Sequence, residues 1–330
     1  MPHIITIDKK LDGLTIKQFF KHHYPHLSYP LLQTWLRKGE VKLNGKKTTG
    51  GSIIALGDRL KLPPSHFTKT PSKKIIPINH DEAIEKLHAI TLFENHHYCI
   101  INKPEGLAVQ GGTAIKRSLD DWLFAINQNN KTTPYKLVHR LDRYTSGVMI
   151  LAKGTLSAKN LTAAFQQHTI EKTYLAVVRL ADKALPPSIH LPLKQASKKN
   201  AEKMATTDNN DPDGLSATSL INIIAQKNQL ALLALKPISG RKHQLRVHLA
   251  HLGVPIIGDK KYGHQSILPA DFPKTAQHHL LLHAYRIILP KQQSHYAVPP
   301  DYFPLRYFIK DNLTDKFFEN FAKICHKKPI

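Results

Sequence analysis

The apolar positions of this chain follow two different patterns. Before residue 64 they are sparse and periodic. In "GLTIKQFFKHHY" they recur at helical spacing; "SYPLLQTWLRKG" does the same, with Ser28 placed to cap it and Pro30 in its first turn. "EVKLNGKK" alternates like a strand and turns at Asn44-Gly45, a hairpin signature, and "GDRLKLPP" adds another short strand. The polar, Pro-bearing stretch "SHFTKTPSKKIIPINHDEA" reads as a linker. From about residue 88 the apolar runs become dense. "YCIINKP", "VMILAK", "TYLAVVRL" and "LALLALKPI" suit buried strands, whereas "LSAKNLTAAFQQHT" and "RKHQLRVHLAHLG" suit helices, the second ending at Gly253. "QASKKNAEKMATTDNNDPDGLSATS" is a long polar loop or hairpin, and no internal repeat is visible. Strands and helices mix without strict βαβ alternation, which favours an α+β fold over a doubly wound sheet. The expected division is a small unit plus linker at residues 1–70, a main domain at 71–310, and a C-terminal helical extension at 311–330 with a basic end.

Charge narrows the choice of partner. The chain has 330 residues, 41% of them hydrophobic, enough for two domains. Lys and Arg total 47 against 24 Asp and Glu, a formal net charge of +23. Such an excess opposes compaction by self-repulsion and points to a polyanion. The chain has no apolar run long enough to span a bilayer and no basic amphipathic helix of membrane type, so nucleic acid is the expected polyanion. The opening "MPHIITIDKKLDG" lacks the apolar core of a secretion signal, and Cys99 and Cys325 form no disulfide framework or metal spacing, so a reducing cytoplasm is expected. The 21 histidines are scattered and match no metal-ligand pattern. A monomer without metal is the expectation.

The segment "LSYPLLQTWLRKGEVKLNGKK" resembles the alpha-L (S4-type) RNA-binding domain over roughly residues 12–62. That resemblance implies two helices on a small sheet, presenting Lys17, Lys21, Arg37, Lys38 and Lys42 to phosphates. Where the family carries an Arg-Leu-Asp run, this chain reads Thr15-Ile16-Lys17.

The chemistry centres on "VHRLDRYTSG", residues 138–147, which sets Asp142 between Arg140 and Arg143 in a strand-like segment. This stretch resembles the signature of the RluA superfamily of pseudouridine synthases. Further blocks follow in that family's order: "INKPEGLAVQGG" (101–112), "EKTYLAVV" (171–178), "LKPISGRKHQLRVHLAHLGVPIIGDKKYG" (235–263) and "LLLHAYRIILP" (280–290). The "VQGG" loop, the N-terminal module and the length most resemble the RluC branch, which modifies uridines of large-subunit ribosomal RNA. The resemblance implies a catalytic domain built on a mixed, largely antiparallel sheet flanked by helices and loops. It implies Asp142 as the catalytic carboxylate, Tyr174 lying against the target base, Arg246 pairing with the aspartate, and Arg140 helping to extrude the uridine.

The residue types suit an isomerisation. Uracil must leave ribose at N1, turn, and rejoin through C5, with nothing oxidised and no group lost, so no cofactor is called for. Asp142 would act by nucleophilic attack or by stabilising a glycal-type intermediate; both remain open at this stage. A glycosidase would need a second carboxylate to direct water, and the motifs place one acid in signature position. His139 is expected to pack rather than react, and Gly147, Gly240 and Gly263 to serve turns or close backbone approaches. Lys242, where the family has a small polar residue, would add a phosphate contact. Two other readings are a catalytically inactive RNA-binding assembly factor and an RNA hydrolase. Transfer RNA stands beside ribosomal RNA as a substrate class.

Overall fold

The computed structural model describes residues 3–9, 11–24, 27, 29–63, 78–111, 115, 117–128, 133–181, 183–196, 203–263, 268–290 and 293–309. The expected boundary near residue 70, the Ser28 cap and the 311–330 extension lie outside these residues. The chain divides into two compact units. One comprises residues 1–85, 113–117 and 121–134, and the other residues 86–112, 118–120 and 135–330.

The first unit contains β1 (His3–Thr6), α1 (Ile16–His23), α2 (Tyr29–Lys38), β2 (Lys42–Leu43), β3 (Lys46–Lys47) and β4 (Arg59–Leu62). The strands form an antiparallel sheet in the order β1-β4-β2-β3. A reciprocal capping box starts α1: the Gln18 amide donates to Thr15 Oγ1 (3.2 Å) and the Thr15 amide donates to Gln18 Oε1 (2.8 Å). The helical periodicity buries Ile16, Phe19 and Phe20 from α1 and Leu32 and Leu36 from α2 against Val41, Leu60 and Leu62. The Asn44-Gly45 turn has φ of +50° and +78°, the doubly left-handed form that a two-residue hairpin needs. The Arg59 amide donates to Asn44 Oδ1 at 2.8 Å, which ties the turn to β4.

The segment read as a linker ends sooner than expected. Its last residues begin α3 (His80–Ile90), where Asn79 Oδ1 accepts the Glu82 amide as an N-cap. β5 (Thr91–Glu94), β6 (Tyr98–Lys103), α4 (Leu119–Asn127), β7 (Tyr135–Leu137), β8 (Ser146–Lys153), α5 (Gly154–Gln166) and β9 (Glu171–Arg179) follow. Next come β10 (Ser188–His190), β11 (Leu193–Gln195), β12 (Met204–Thr206), β13 (Thr218–Lys227), β14 (Leu230–Pro237), α6 (Gln244–His251), β15 (Leu282–Leu289), β16 (Gln293–Tyr296) and α7 (Leu305–Phe308). The polar stretch after residue 195 contributes β12, which pairs with β11 as a hairpin.

The α+β expectation holds. The main sheet has ten strands, ordered β10-β13-β14-β9-β15-β8-β6-β5, with β16 beside β15 and β7 beside β8. Its pairings are antiparallel except β15 with β8, where His283 and Ala284 face Ser146 and Gly147. Ala284 also faces Tyr174 on β9, so Tyr174, Ala284 and Gly147 stand in one row across the sheet. The strands are apolar in long runs: Leu175–Val178 and Leu230–Leu235 are all buried, as expected for strands covered on both faces. Among the described residues no helix is long and apolar enough to cross a membrane.

Gly147 makes the parallel junction possible. Its φ is +116°, and a Cβ there would stand 2.1 Å from the Ala284 carbonyl oxygen. Gly147→Ala is therefore expected to cost about 3 kcal/mol or more, combining backbone strain with a clash that only main-chain movement relieves. Gly45→Ala, also at positive φ but with nothing within 4 Å, should cost only about 1 kcal/mol. Urea unfolding of both variants checks this ordering; equal costs would show that the junction tolerates a side chain.

Candidate active site

Asp142 lies in a turn between β7 and β8, not in a strand-like segment as expected. Its carbonyl accepts the Thr145 amide at 3.1 Å, closing a β-turn with Arg143 and Tyr144 at its exposed tip. Neighbouring segments hold that turn. The Gly106 amide donates to the Arg143 carbonyl at 2.9 Å, and Arg143 Nε donates back to the Gly106 carbonyl at 3.0 Å. Lys103, at the end of β6 and fully buried, donates from Nζ to the carbonyls of Pro104 (2.8 Å), Leu107 (3.0 Å) and Arg143 (3.2 Å). Burial pushes its pKa down to about 7, against the opposing charges of Asp142 and Glu105. Three carbonyls match the three donors of an ammonium, whereas a neutral amine would turn a lone pair on one of them. The "NKPEG" loop and the aspartate turn are thus joined through one cation.

His139 packs, as expected. Its Nε2 accepts the Ile150 amide at 3.0 Å, its ring stacks on Phe165, and burial lowers its pKa to about 3, so it is a neutral structural imidazole.

The "HQLR" run builds the opposite wall from the first turn of α6. Gln244 is buried and fully bonded. Its Oε1 accepts from Ser239 Oγ (2.8 Å) and the Arg241 amide (3.0 Å), and its Nε2 donates to the Thr218 carbonyl (2.8 Å) and Ser219 Oγ (3.0 Å). This pins the helix start to β13. Two residues on, Arg246 reaches Asp142, with Nη1 3.4 Å from Oδ2. Its stronger partner is Asp259, which the sequence reading did not single out: Nε and Nη2 each donate to one carboxylate oxygen at 2.7 Å. Arg246 therefore meets a second carboxylate besides Asp142. Asp259 cannot act as a second acid or base, because its side chain is 0% exposed and its Oδ1 also accepts the Lys261 (2.9 Å) and Tyr262 (3.0 Å) amides. Burial pushes its carboxyl up, but Arg246 and those amides outweigh burial and hold it below the usual carboxylate range. Burial opposes the charge on Arg246, yet Asp259 and Asp142 raise its pKa above the ordinary value.

His243 is a further residue that the sequence reading missed. It caps α6 in the left-handed conformation (φ +55°), an unusual backbone for a non-glycine residue and of the kind that clusters at functional sites. Burial lowers its pKa to about 4, although Asp142 pulls the other way. Tyr262 Oη accepts the Met204 amide at 2.9 Å and lies 2.6 Å from His243 Nδ1. On the other side of the ring, His243 Nε2 lies 3.7 Å from Asp142 Oδ2.

These groups face a cleft of about 520 Å³, lined among others by Arg140, Asp142, Lys172, Tyr174, Arg241, His243 and Arg246. Asp142 keeps 18% of its side chain exposed, and Arg140 is exposed at the mouth. Burial, and secondarily the Asp142 charge, push the Tyr174 hydroxyl far above the usual phenol range, so it remains protonated. The structure thus brings Arg140, Asp142, Tyr174 and Arg246 to one cleft. The candidate phosphate-contacting residues belong to the first unit, where Arg37 and Lys38 are exposed and Lys17 and Lys42 half-buried. Lys21 departs from expectation: its ammonium is paired with Asp121 at 2.7 Å, which offsets the charge offered to a phosphate.

Comparison with known proteins gives a consistent picture. Residues 97–251 match the family model described as RNA pseudouridylate synthase. The chain is 32% identical over 316 residues to ribosomal large subunit pseudouridine synthase C of Buchnera aphidicola subsp. Baizongia pistaciae, covering 95% of this chain and 97% of that one. It is 33% identical over 307 residues to the protein of the same name from Rickettsia bellii, covering 88% and 93%. Among solved structures, human RNA pseudouridylate synthase domain containing 4 aligns with a TM-score of 0.55 and 27% identity, over 66% of this chain and 92% of that one.

Removing Asp259 should show how far the site rests on it. Asp259→Ala leaves a buried guanidinium with one distant carboxylate, so stability should fall by about 3–5 kcal/mol. Arg246 should also lose its fixed orientation toward Asp142. Chemical unfolding measures the first effect; a loss under about 1 kcal/mol would show that the bidentate bridge is not structural.

Proposed function

The chain belongs to the RNA pseudouridylate synthase family, and on that premise we propose that it isomerises uridines of large-subunit ribosomal RNA, with Asp142 as the catalytic carboxylate. The observation that supports this most is the placement of Asp142: one incompletely buried carboxylate at a cleft, held by Arg246, with Tyr174 beside it. The names of the ribosomal relatives supply the substrate class.

The reaction breaks the bond from C1′ of ribose to N1 of uracil and forms one from C1′ to C5. The C5 hydrogen is lost as a proton and N1 gains one, so the product is an isomer. Asp142 acts at the sugar–base junction, and Arg246 keeps it ionised in a setting where desolvation would otherwise favour the neutral acid. Asp259 is held by Arg246, which leaves Asp142 as the reactive acid and keeps water activation by a second carboxylate out of the site. The protonated Tyr174 gives the detached base an aromatic face and a hydroxyl donor. A uridine within folded RNA reaches the cleft only by leaving its stack, and in this reading Arg140, exposed at the cleft, fills the gap.

Residues 1–70 act as an RNA-binding module in this reading, with Arg37 and Lys38 as its exposed cations. The cytoplasm is the setting that such a substrate implies, and the enzyme works as a monomer without metal.

The purified protein incubated with a large-subunit ribosomal RNA transcript should convert particular uridines without change of mass, as mapped by carbodiimide modification. Cleaved RNA would replace the reading with hydrolysis, and RNA bound but unchanged would replace it with an assembly factor. On the same transcript, Arg37→Glu combined with Lys38→Glu should weaken binding and flatten its salt dependence; an unchanged slope would take the module out of the RNA path.

A further inference from the structure

Lys172 stands on β9 two residues before Tyr174, so both side chains point to the same face of the strand, and both line the cleft. Its ammonium is half-buried and has no hydrogen-bond or ion-pair partner among the described residues; burial alone lowers its pKa, and no carboxylate opposes that. The other buried cations at the site are neutralised or fully bonded: Arg246 by Asp259 and Asp142, and Lys103 by three carbonyls. Facing Lys172 is Gly240, where even a Cβ would stand 3.6 Å from Nζ, so the wall beside the ammonium is bare backbone.

A partly desolvated charge without a counter-charge is unfavourable to the free protein. An anionic ligand removes that cost, and the anions of an RNA are its phosphates. Alternate residues of a strand lie about 7 Å apart on one face. With the base against Tyr174, an anion one such step along β9 belongs to the sugar–phosphate backbone rather than to the base.

We propose that Lys172 is a substrate-binding residue that takes the phosphodiester next to the target uridine and so fixes the flipped nucleotide over Asp142. This rests on the site being a uridine-isomerising one, and it adds a contact inside the cleft to those of the first unit.

The test uses full-length protein and a ribosomal RNA fragment that the wild type modifies. Binding is measured with Asp142→Asn present, so that no turnover intervenes. Lys172→Met should weaken binding by about tenfold, the size of one charge-assisted hydrogen bond. The log–log salt slope should become shallower by about 0.7, as for one phosphate of a single strand. Lys172→Arg should restore most of both. The melting temperature of Lys172→Met should not fall, because an unpaired charge has been removed. Unchanged affinity and slope would overturn the proposal. If turnover were then lost in protein carrying Asp142, Lys172 would be acting on the base. A lower melting temperature with an unchanged slope would make it structural. If the wild type modifies no ribosomal RNA, the isomerase reading fails instead, which is a separate result.

Discussion

A single guanidinium, that of Arg246, lies between two carboxylates, and the site depends on how it divides its donors. Asp259 takes two of them in a buried fork at 2.7 Å each. That fork fixes the plane of the group and leaves Nη1 directed at Asp142 at 3.4 Å. A buried arginine with only Asp142 would be free to rotate, and a buried pair without amide support would be expensive to desolvate. Here the Lys261 and Tyr262 amides complete Asp259, and Gln244 anchors the helix that carries the arginine. Asp142, by contrast, is left with spare acceptor capacity facing the cleft. One acid supports the cation and the other stays available for chemistry.

The site is assembled across the sheet: Lys103, Asp142, Tyr174, and Arg246 with Asp259 come from four separated segments. β15 lies between β8, which follows the Asp142 turn, and β9, which carries Tyr174, so the two residues reach the same cleft across one strand. Without a side chain at Gly147 the backbones of β8 and β15 can approach closely. Lys103 then fixes the turn from the β6 side, its ammonium donating to three carbonyls.

Much of this was legible in the sequence, and the parts that were not share a cause. The strands, the α5 and α6 helices and the Asn44-Gly45 hairpin follow from local periodicity and turn chemistry, and the structure has them. Asp142 follows Leu141 shortly before an apolar run and was read as strand-like; its turn is held by bonds from Lys103 and Gly106, which lie in another segment. Asp259 was quoted within "GDKKYG", but nothing local tells a paired acid from a loop acid when its partner is thirteen residues away on a helix. His243 was missed for a similar reason, since its left-handed backbone and its tie to Tyr262 are tertiary facts. Lys21 was read as one of the cations presented to phosphates, and Asp121, far along the chain, pairs with it. The start of α3 is different. Asn79 followed by Asp81 and Glu82 is an N-cap signal that the linker reading passed over.

The central claim is that the carboxylate of Asp142, oriented by Arg246, does the chemistry. It is tested most directly by Asp142→Asn, which keeps the size of the side chain and removes its charge. Pseudouridine formation and RNA binding should be measured on one folded sample. The account expects pseudouridine formation to fall to background while RNA affinity holds or rises, since a negative charge has left a site that meets phosphates. Continued pseudouridine formation by the folded variant would contradict it.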